Sequence, residues 1–361
     1  MREARLGISP SALHHNLRRV REAAPYARVL AMVKADGYGH GARLVAETLA
    51  EADGFGVAYL DEALALRAAG IRQPITVLEG VFTDMEMFEA VRQGLALVIH
   101  QEPQLALLEG CRLTGPVDVW LKVDTGMHRL GFSPEAAISA YRRLRAARIT
   151  GNIGLMTHFA TADEFGSALT ETQIGRFRGL QQVLSKGGDL PLADSLANSA
   201  AILAWPAAHG NWVRPGIMLY GGSPFADRTA EELGLRPVMT LSSRLIAIRE
   251  LRAGESVGYG AAWTAERDTR IGVIAIGYGD GYPRHARSGT PVLVNGRLVP
   301  LAGRVSMDMI TVDLGNAPAA IGDTCVLWGE GLPADLVAAH AGTISYELFC
   351  KVTARVRRDV W

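Results

Sequence analysis

The chain has 361 residues, 48% of them apolar and 20% charged, with 37 basic side chains against 37 acidic ones. That length suggests about two domains, and the composition is that of a folded globular protein, not a disordered one. A net charge of zero leaves no bulk positive field to hold nucleic acid or an anionic membrane.

No apolar run reaches the roughly 18 residues of a membrane span, and the opening MREARLGISP lacks the apolar segment of a secretory signal. Cys111, Cys325 and Cys350 fit neither a zinc spacing nor a disulfide framework. A reduced, cytoplasmic setting is expected, with each thiol a small core residue.

Short apolar runs that read as strands lie at 29–33, 55–58, 75–78, 95–99, 117–123, 151–156, 192–196 and 211–213. Helical patterns fall between them at 42–52, 61–69, 86–93, 134–146 and 171–184. Near-continuous apolar strands alternating with helices imply a parallel sheet covered on its outside. Eight such units match the size of a (β/α)8 barrel, with an open doubly wound sheet as the alternative. Gly221, Gly222 and Pro224 then punctuate the chain. Beyond them come shorter alternating runs at 238–249, 271–276, 291–294, 297–300, 308–313 and 324–328. Asn295-Gly296 between two of these runs is the signature of a type I′ hairpin. The expected architecture is α/β: an N-terminal barrel over 8–222 and a mainly β domain over 223–361.

Polar residues recur just after the expected strands. Lys34 follows the first and opens a glycine-rich turn, Lys122 lies in the fifth, and His158 follows the sixth. Asn198 and Ser199 follow the seventh, and Arg214 the eighth. Barrel enzymes carry their chemistry at the C-terminal ends of the strands. Singly, each residue reads as well as a satisfied core or rim side chain, such as a helix cap at Asn198-Ser199. Together they would converge on one mouth. The set holds no carboxylate pair, no metal-binding cluster and no nucleophile elbow. Backbone amides near Ser199 and Gly216-Ile217 would suit a phosphate. A lysine beside a phosphate cradle implies a pyridoxal-phosphate Schiff base, or an aldolase lysine acting on a phosphosugar.

Nine stretches in order resemble the bacterial alanine racemase family. They are AMVKADGYGHG (31–41), LKVDTGMHRLG (121–131), THFATAD (157–163), ANSAA (197–201), RPGI (214–217), VGYG (257–260), GYGDGY (277–282), GRVSMD (303–308) and SYE (345–347). The resemblance implies a pyridoxal-phosphate enzyme that interconverts L- and D-alanine as a homodimer with shared sites. It also implies that residues 1–7 join the second domain. In it Lys34 binds the cofactor and serves as base on one face of the α-carbon, and Tyr259 of a partner subunit serves the other. Arg129 lies by the cofactor's phenolic oxygen and the substrate carboxylate, which the Met307 amide also meets. Arg214 bonds the pyridine nitrogen, with His158 between it and Tyr259. Tyr38, Asn198, Ser199, Gly216, Ile217 and Tyr346 hold the cofactor, chiefly its phosphate. Lys122 matches a lysine that carries a carbamate in many members.

Arginine keeps its proton, so the ring nitrogen beside it stays largely unprotonated, which limits the carbanion's lifetime and with it transamination. A free phenol titrates near pH 10, so a phenolate base predicts activity that rises towards alkaline pH. Arg129 and His158, through cationic or donor character, would assist it. The rings of Tyr259 and Tyr346 are expected to crowd the side-chain pocket and favour alanine, with a racemase of broader specificity or one acting on another small amino acid such as serine as the alternative. A decarboxylase of basic amino acids would show a cysteine-bearing loop motif, which the second domain lacks. A cofactor-carrier protein would lack the β domain altogether. The sequence does not separate a biosynthetic enzyme feeding peptidoglycan from a catabolic one.

Overall fold

The structure is a computed structural model that describes residues 3–111, 115–147, 149–186 and 193–361. After β1 (Arg5–Ile8), eight parallel strands close into a barrel: β2 (Arg28–Met32), β3 (Gly54–Val57), β4 (Ile75–Val77), β5 (Ala96–Ile99), β6 (Val117–Lys122), β7 (Thr150–Met156), β8 (Ala193–Ser195) and β9 (Trp212–Val213). β9 pairs back onto β2 through Arg28–Trp212 and Val29–Val213, which settles the barrel over the open sheet. Each strand lies on an expected apolar run, and position 192, the start of the seventh run, falls outside the described residues. The runs form strands because they are buried on both faces. Val29, Phe55, Ile75, Val77, Leu97 and Leu155 have no solvent exposure, since helices cover the outside and side chains fill the inside.

The helix expected at 134–146 forms over Pro134–Ala146, with the Ser133 hydroxyl accepting from the Ala136 amide at 3.2 Å and a proline in the first turn. The helix expected at 42–52 stops at Thr48, after which the chain turns and still buries Leu49 and Ala52. Further helices form over Pro10–Ala23, Glu102–Gly110 and Ser199–Ala204.

The second domain is built on an eight-stranded sheet. Its spine is the long strand Met239–Leu251, which pairs with β1, with Thr324–Trp328 and with Thr269–Ile274. β1 therefore crosses from the start of the chain into this sheet, where Arg357–Val360 flanks it on its other side. The hairpin Pro291–Val294/Arg297–Pro300 turns at Asn295 and Gly296, both at positive φ. Two helices unforeseen in the sequence, Ala334–His340 and Ser345–Lys351, pack on the domain. The second reaches the barrel mouth.

Candidate active site at the barrel mouth

A cavity of about 620 Å³ opens at the C-terminal end of the barrel. Lys34, Lys122, His158, Asn198, Ser199 and Arg214 all line it, as do Tyr38, Arg129, Gly216, Ile217 and Tyr346. The convergence expected of five strand ends is thus a property of the fold.

Lys34 stands two residues beyond β2, where the backbone leaves the strand through a left-handed turn. Ala35, Asp36, Gly37 and Tyr38 have φ of 52°, 53°, 62° and 52°. Three of these are not glycine, and each such residue costs roughly 1 kcal/mol in this region. Bonds from outside hold the turn. The Glu62 carboxylate accepts from the Ala35 amide at 2.6 Å, and Asp36 accepts from the Ala42 amide at 2.9 Å and from Arg358 at 2.8 Å. Burial and then the Arg129 cation lower the pKa of Lys34, so its amine gives up a proton more readily than a free lysine.

Arg129 rides on a loop after β6. Asp124 collects the amides of Gly126, Met127 and His128 on one oxygen at 2.9–3.1 Å, and Phe132 closes the loop's base onto Lys122 and Asp124. Lys122 ends β6 and faces the same cavity. Its pKa is pushed down to about 8, first by burial and then by Arg214, Arg129 and Lys34.

Arg214 is 4% exposed. Its terminal nitrogens donate to Ser195 O and Oγ at 2.7 Å, to Thr157 O at 2.6 Å and to Leu196 O at 3.2 Å. These carbonyls compensate the buried charge and fix the guanidinium plane. Burial lowers its pKa only to about 10, so it remains a cation at neutral pH. Its Nη2 also lies 3.4 Å from His158 Nδ1. Burial, reinforced by Arg214 and Lys122, holds His158 well below the usual imidazole range.

The far side of the cavity is aromatic and small. The Tyr38 ring stacks on Tyr220 at 4.7 Å and meets Tyr346, from the second domain, at 6.0 Å. Burial raises the pKa of both phenols that face the cavity, so they stay protonated donors. The Ser199 hydroxyl accepts from the Gly216 amide at 2.9 Å. A Cβ on Gly216 would come 2.5 Å from the Tyr38 hydroxyl. Glycine there leaves a hollow bordered by Tyr38, Ser199, Ile217 and Tyr346. Asn198 caps the following helix through the Ala201 amide at 3.0 Å, as its helix-cap reading anticipates.

These features fit pyridoxal phosphate: a lysine of lowered pKa, a fixed cation in the same cavity, and a hollow of hydroxyls and amides suited to a phosphate. Four basic side chains line the cavity, and Glu79 is the carboxylate among its described lining residues.

Two polar lining residues escaped the sequence reading. Glu79 follows β4 as Lys34 follows β2, so the same strand-end rule would have found it. Its carbonyl is held by Gln104 at 2.7 Å and by His100 at 3.2 Å. Cys350 is the other, and here the expectation of a core thiol is corrected. Cys111 and Cys325 are buried, but Cys350 is exposed and lines the cavity, because helix Ser345–Lys351 lies across the mouth.

Tyr259 and Met307 are not among this cavity's lining residues. Tyr259 sits at the tip of the hairpin Ser256–Val257/Trp263–Thr264 and is 68% exposed, and Met307 is 52% exposed. The two stretches adjoin, since a Cβ on Gly260 would lie 3.3 Å from Arg304.

Fold and site together define a barrel protein with a second, mainly β domain and a lysine-lined cavity at the barrel's C-terminal face. Comparison with known proteins narrows the class. Residues 8–224 match the family model "Alanine racemase, N-terminal domain" and residues 238–360 match "Alanine racemase, C-terminal domain". The chain is 54% identical over 355 residues to the alanine racemase of Nitrosococcus oceani, covering 98% of each. It is 52% identical over 361 residues to that of Vibrio parahaemolyticus, covering 99% of each. The solved biosynthetic alanine racemase of Pseudomonas aeruginosa superposes with a TM-score of 0.96 at 50% identity, covering all of both chains. The chain belongs to the alanine racemase family. Among the described residues no helix is long and apolar enough to cross a membrane.

Proposed function

We propose that this enzyme interconverts L- and D-alanine with pyridoxal phosphate, using Lys34 of one subunit and Tyr259 of another on opposite faces of the substrate α-carbon. The observation that carries the reading is the single cavity in which Lys34, Arg214 and the Tyr38–Ser199–Gly216 hollow meet. Bound there, pyridoxal phosphate supplies an electron sink for the pair left when the α-proton departs. Lys34 holds the cofactor and moves a proton at the α-carbon, a task that its lowered pKa favours. Arg214 faces the pyridine nitrogen as a fixed cation, and its retained proton leaves that nitrogen without one. The hydroxyls of Tyr38, Ser199 and Tyr346 and the amides of Gly216 and Ile217 hold the phosphate, with Asn198 fixing the segment. Arg129 binds the substrate carboxylate from this subunit, and the Met307 amide meets it from the partner. Lys122 carries a carbamate, which turns one of four neighbouring cations into an anion able to hold Arg129.

Two bases on opposite faces are what inversion needs. One removes the proton and the other returns one from solvent to the far side. Purified protein with pyridoxal phosphate and L-alanine in D2O is expected to yield D-alanine bearing deuterium at the α-carbon. Lys34→Ala should abolish the exchange, and Tyr259→Phe should cripple it. Loss of CO2 from a basic amino acid, or cofactor binding without exchange, would overturn the reading.

A further inference from the structure

The turn that aims Lys34 is clamped from the neighbouring strand–helix unit of the barrel. Glu62 belongs to helix Leu60–Ala68, where one of its oxygens accepts from the Tyr59 amide at 3.2 Å as a capping box requires. That oxygen also takes the Ala58 amide at 2.7 Å, and the other takes the Ala35 amide at 2.6 Å. A capping box has no use for the Ala35 bond, which reaches 27 positions back along the chain to the residue after Lys34. Ala35 is also the first of the residues in the left-handed region and has no glycine's freedom to be there.

We propose that Glu62 is a positioning residue: its carboxylate holds Ala35 in the left-handed conformation and so directs the Lys34 side chain into the cavity. This rests on the reading of Lys34 as the cofactor lysine. Three amides converge on two oxygens, so glutamine cannot replace the carboxylate. Whichever way its amide turns, an NH2 faces an N–H. Glycine at position 35 adopts the left-handed conformation unaided, so it should remove the need for the clamp.

The test is a double-mutant cycle on the holoenzyme, with Glu62→Gln, Ala35→Gly and the pair. Glu62→Gln is expected to lower kcat about tenfold through misplacement of the lysine, with KM for alanine within about twofold. The fraction of protein showing the visible Schiff-base absorbance should fall as well. With Ala35→Gly present, the same substitution should cost no more than about twofold in kcat, and the absorbance should return. A purely structural Glu62 would behave otherwise. The melting temperature would drop with kcat and absorbance unchanged, or the loss would be equal in both backgrounds. Either result overturns the proposal. Should Glu62→Gln not fold, Glu62→Ala tests the same coupling with no donor facing the amides. Absence of the Schiff-base absorbance in the unmutated protein would overturn the reading of Lys34 itself, and this proposal with it.

Discussion

Lys122 is a cation set among cations, and burial with its three basic neighbours pushes its pKa down to about 8 from an ordinary 10.5. The shift has a sign that stability measurements can read. In CO2-free buffer the side chain stays an amine. Below about pH 8 it is protonated in both folded and unfolded chains, and the folded state bears the whole penalty. Between about 8 and 10.5 only the unfolded chain keeps the proton, so stability should rise with pH. Lys122→Met is therefore expected to stabilise the protein by on the order of 2 kcal/mol at pH 7 in denaturant titrations. The gain should fade as the pH approaches 10.5, the ordinary lysine value. A gain independent of pH would show that packing, not charge, sets the cost. The same depressed pKa leaves more neutral amine at physiological pH, the form that captures CO2. Supplying 13C-bicarbonate should give one carbamate resonance that Lys122→Met removes.

At the scale of elements, the site depends on segments that approach each other too closely for ordinary side chains. Gly216 begins the turn after β9, and a Cβ there would press on the Tyr38 hydroxyl at 2.5 Å and the ring carbon bearing it at 3.2 Å. Tyr38 cannot retreat, since Tyr220 stacks on it at 4.7 Å and donates its own hydroxyl to Met32 O at 2.7 Å. Gly216→Ala is expected to weaken pyridoxal-phosphate affinity about tenfold or more and to lower the melting temperature as well, because overpacking against a pinned, buried ring costs about 1–3 kcal/mol. Equilibrium dialysis of the cofactor checks it, and unchanged affinity would remove Gly216 from the phosphate site.

Such closeness explains what the sequence did and did not disclose. The barrel strands were legible because burial on both faces demands unbroken apolar runs, as at Val29–Val33, and the lysine ending that run stood out against them. The left-handed turn was not legible, because alanine and tyrosine carry no sign of positive φ and aspartate only a weak one. The turn is imposed by Glu62, Asp36 and Arg358 across long stretches of chain. Cys350 and Glu79 were missed for different reasons. The first depends on where helix Ser345–Lys351 docks, which periodicity does not encode. The second lay in plain view after β4, but as a lone carboxylate among basic residues it matched no catalytic pattern.

For the whole molecule, the decisive fact is that Tyr259 is exposed and is not among the residues lining the cavity that holds Lys34. Tyr259, Tyr278, Met307 and Met309 are all exposed on the second domain. The loops of Tyr278, Met307 and Met309 are bonded together, with the Tyr278 amide donating to Ser306 O at 3.0 Å and the Ser306 amide to Met309 O at 3.0 Å, and the Tyr259 loop adjoins them at Arg304. A cluster of aromatic and methionine side chains in water marks an interaction surface, and here it carries the second proposed base. If a partner's surface completes the cavity, a two-fold dimer holds two sites, each drawing Lys34 from one subunit and Tyr259 from the other. Lys34→Ala and Tyr259→Phe dimers each have two damaged sites. A mixed dimer has one intact site, formed by Lys34 of the tyrosine variant and Tyr259 of the lysine variant, and one doubly damaged site. Random exchange of equal amounts makes about half of the dimers mixed, so about one quarter of all sites should be intact. Mixing the two nearly inactive proteins, after dissociation and reassembly, should therefore restore about a quarter of the unmutated activity. Sites contained within one chain would restore none, since no subunit in the mixture carries both residues.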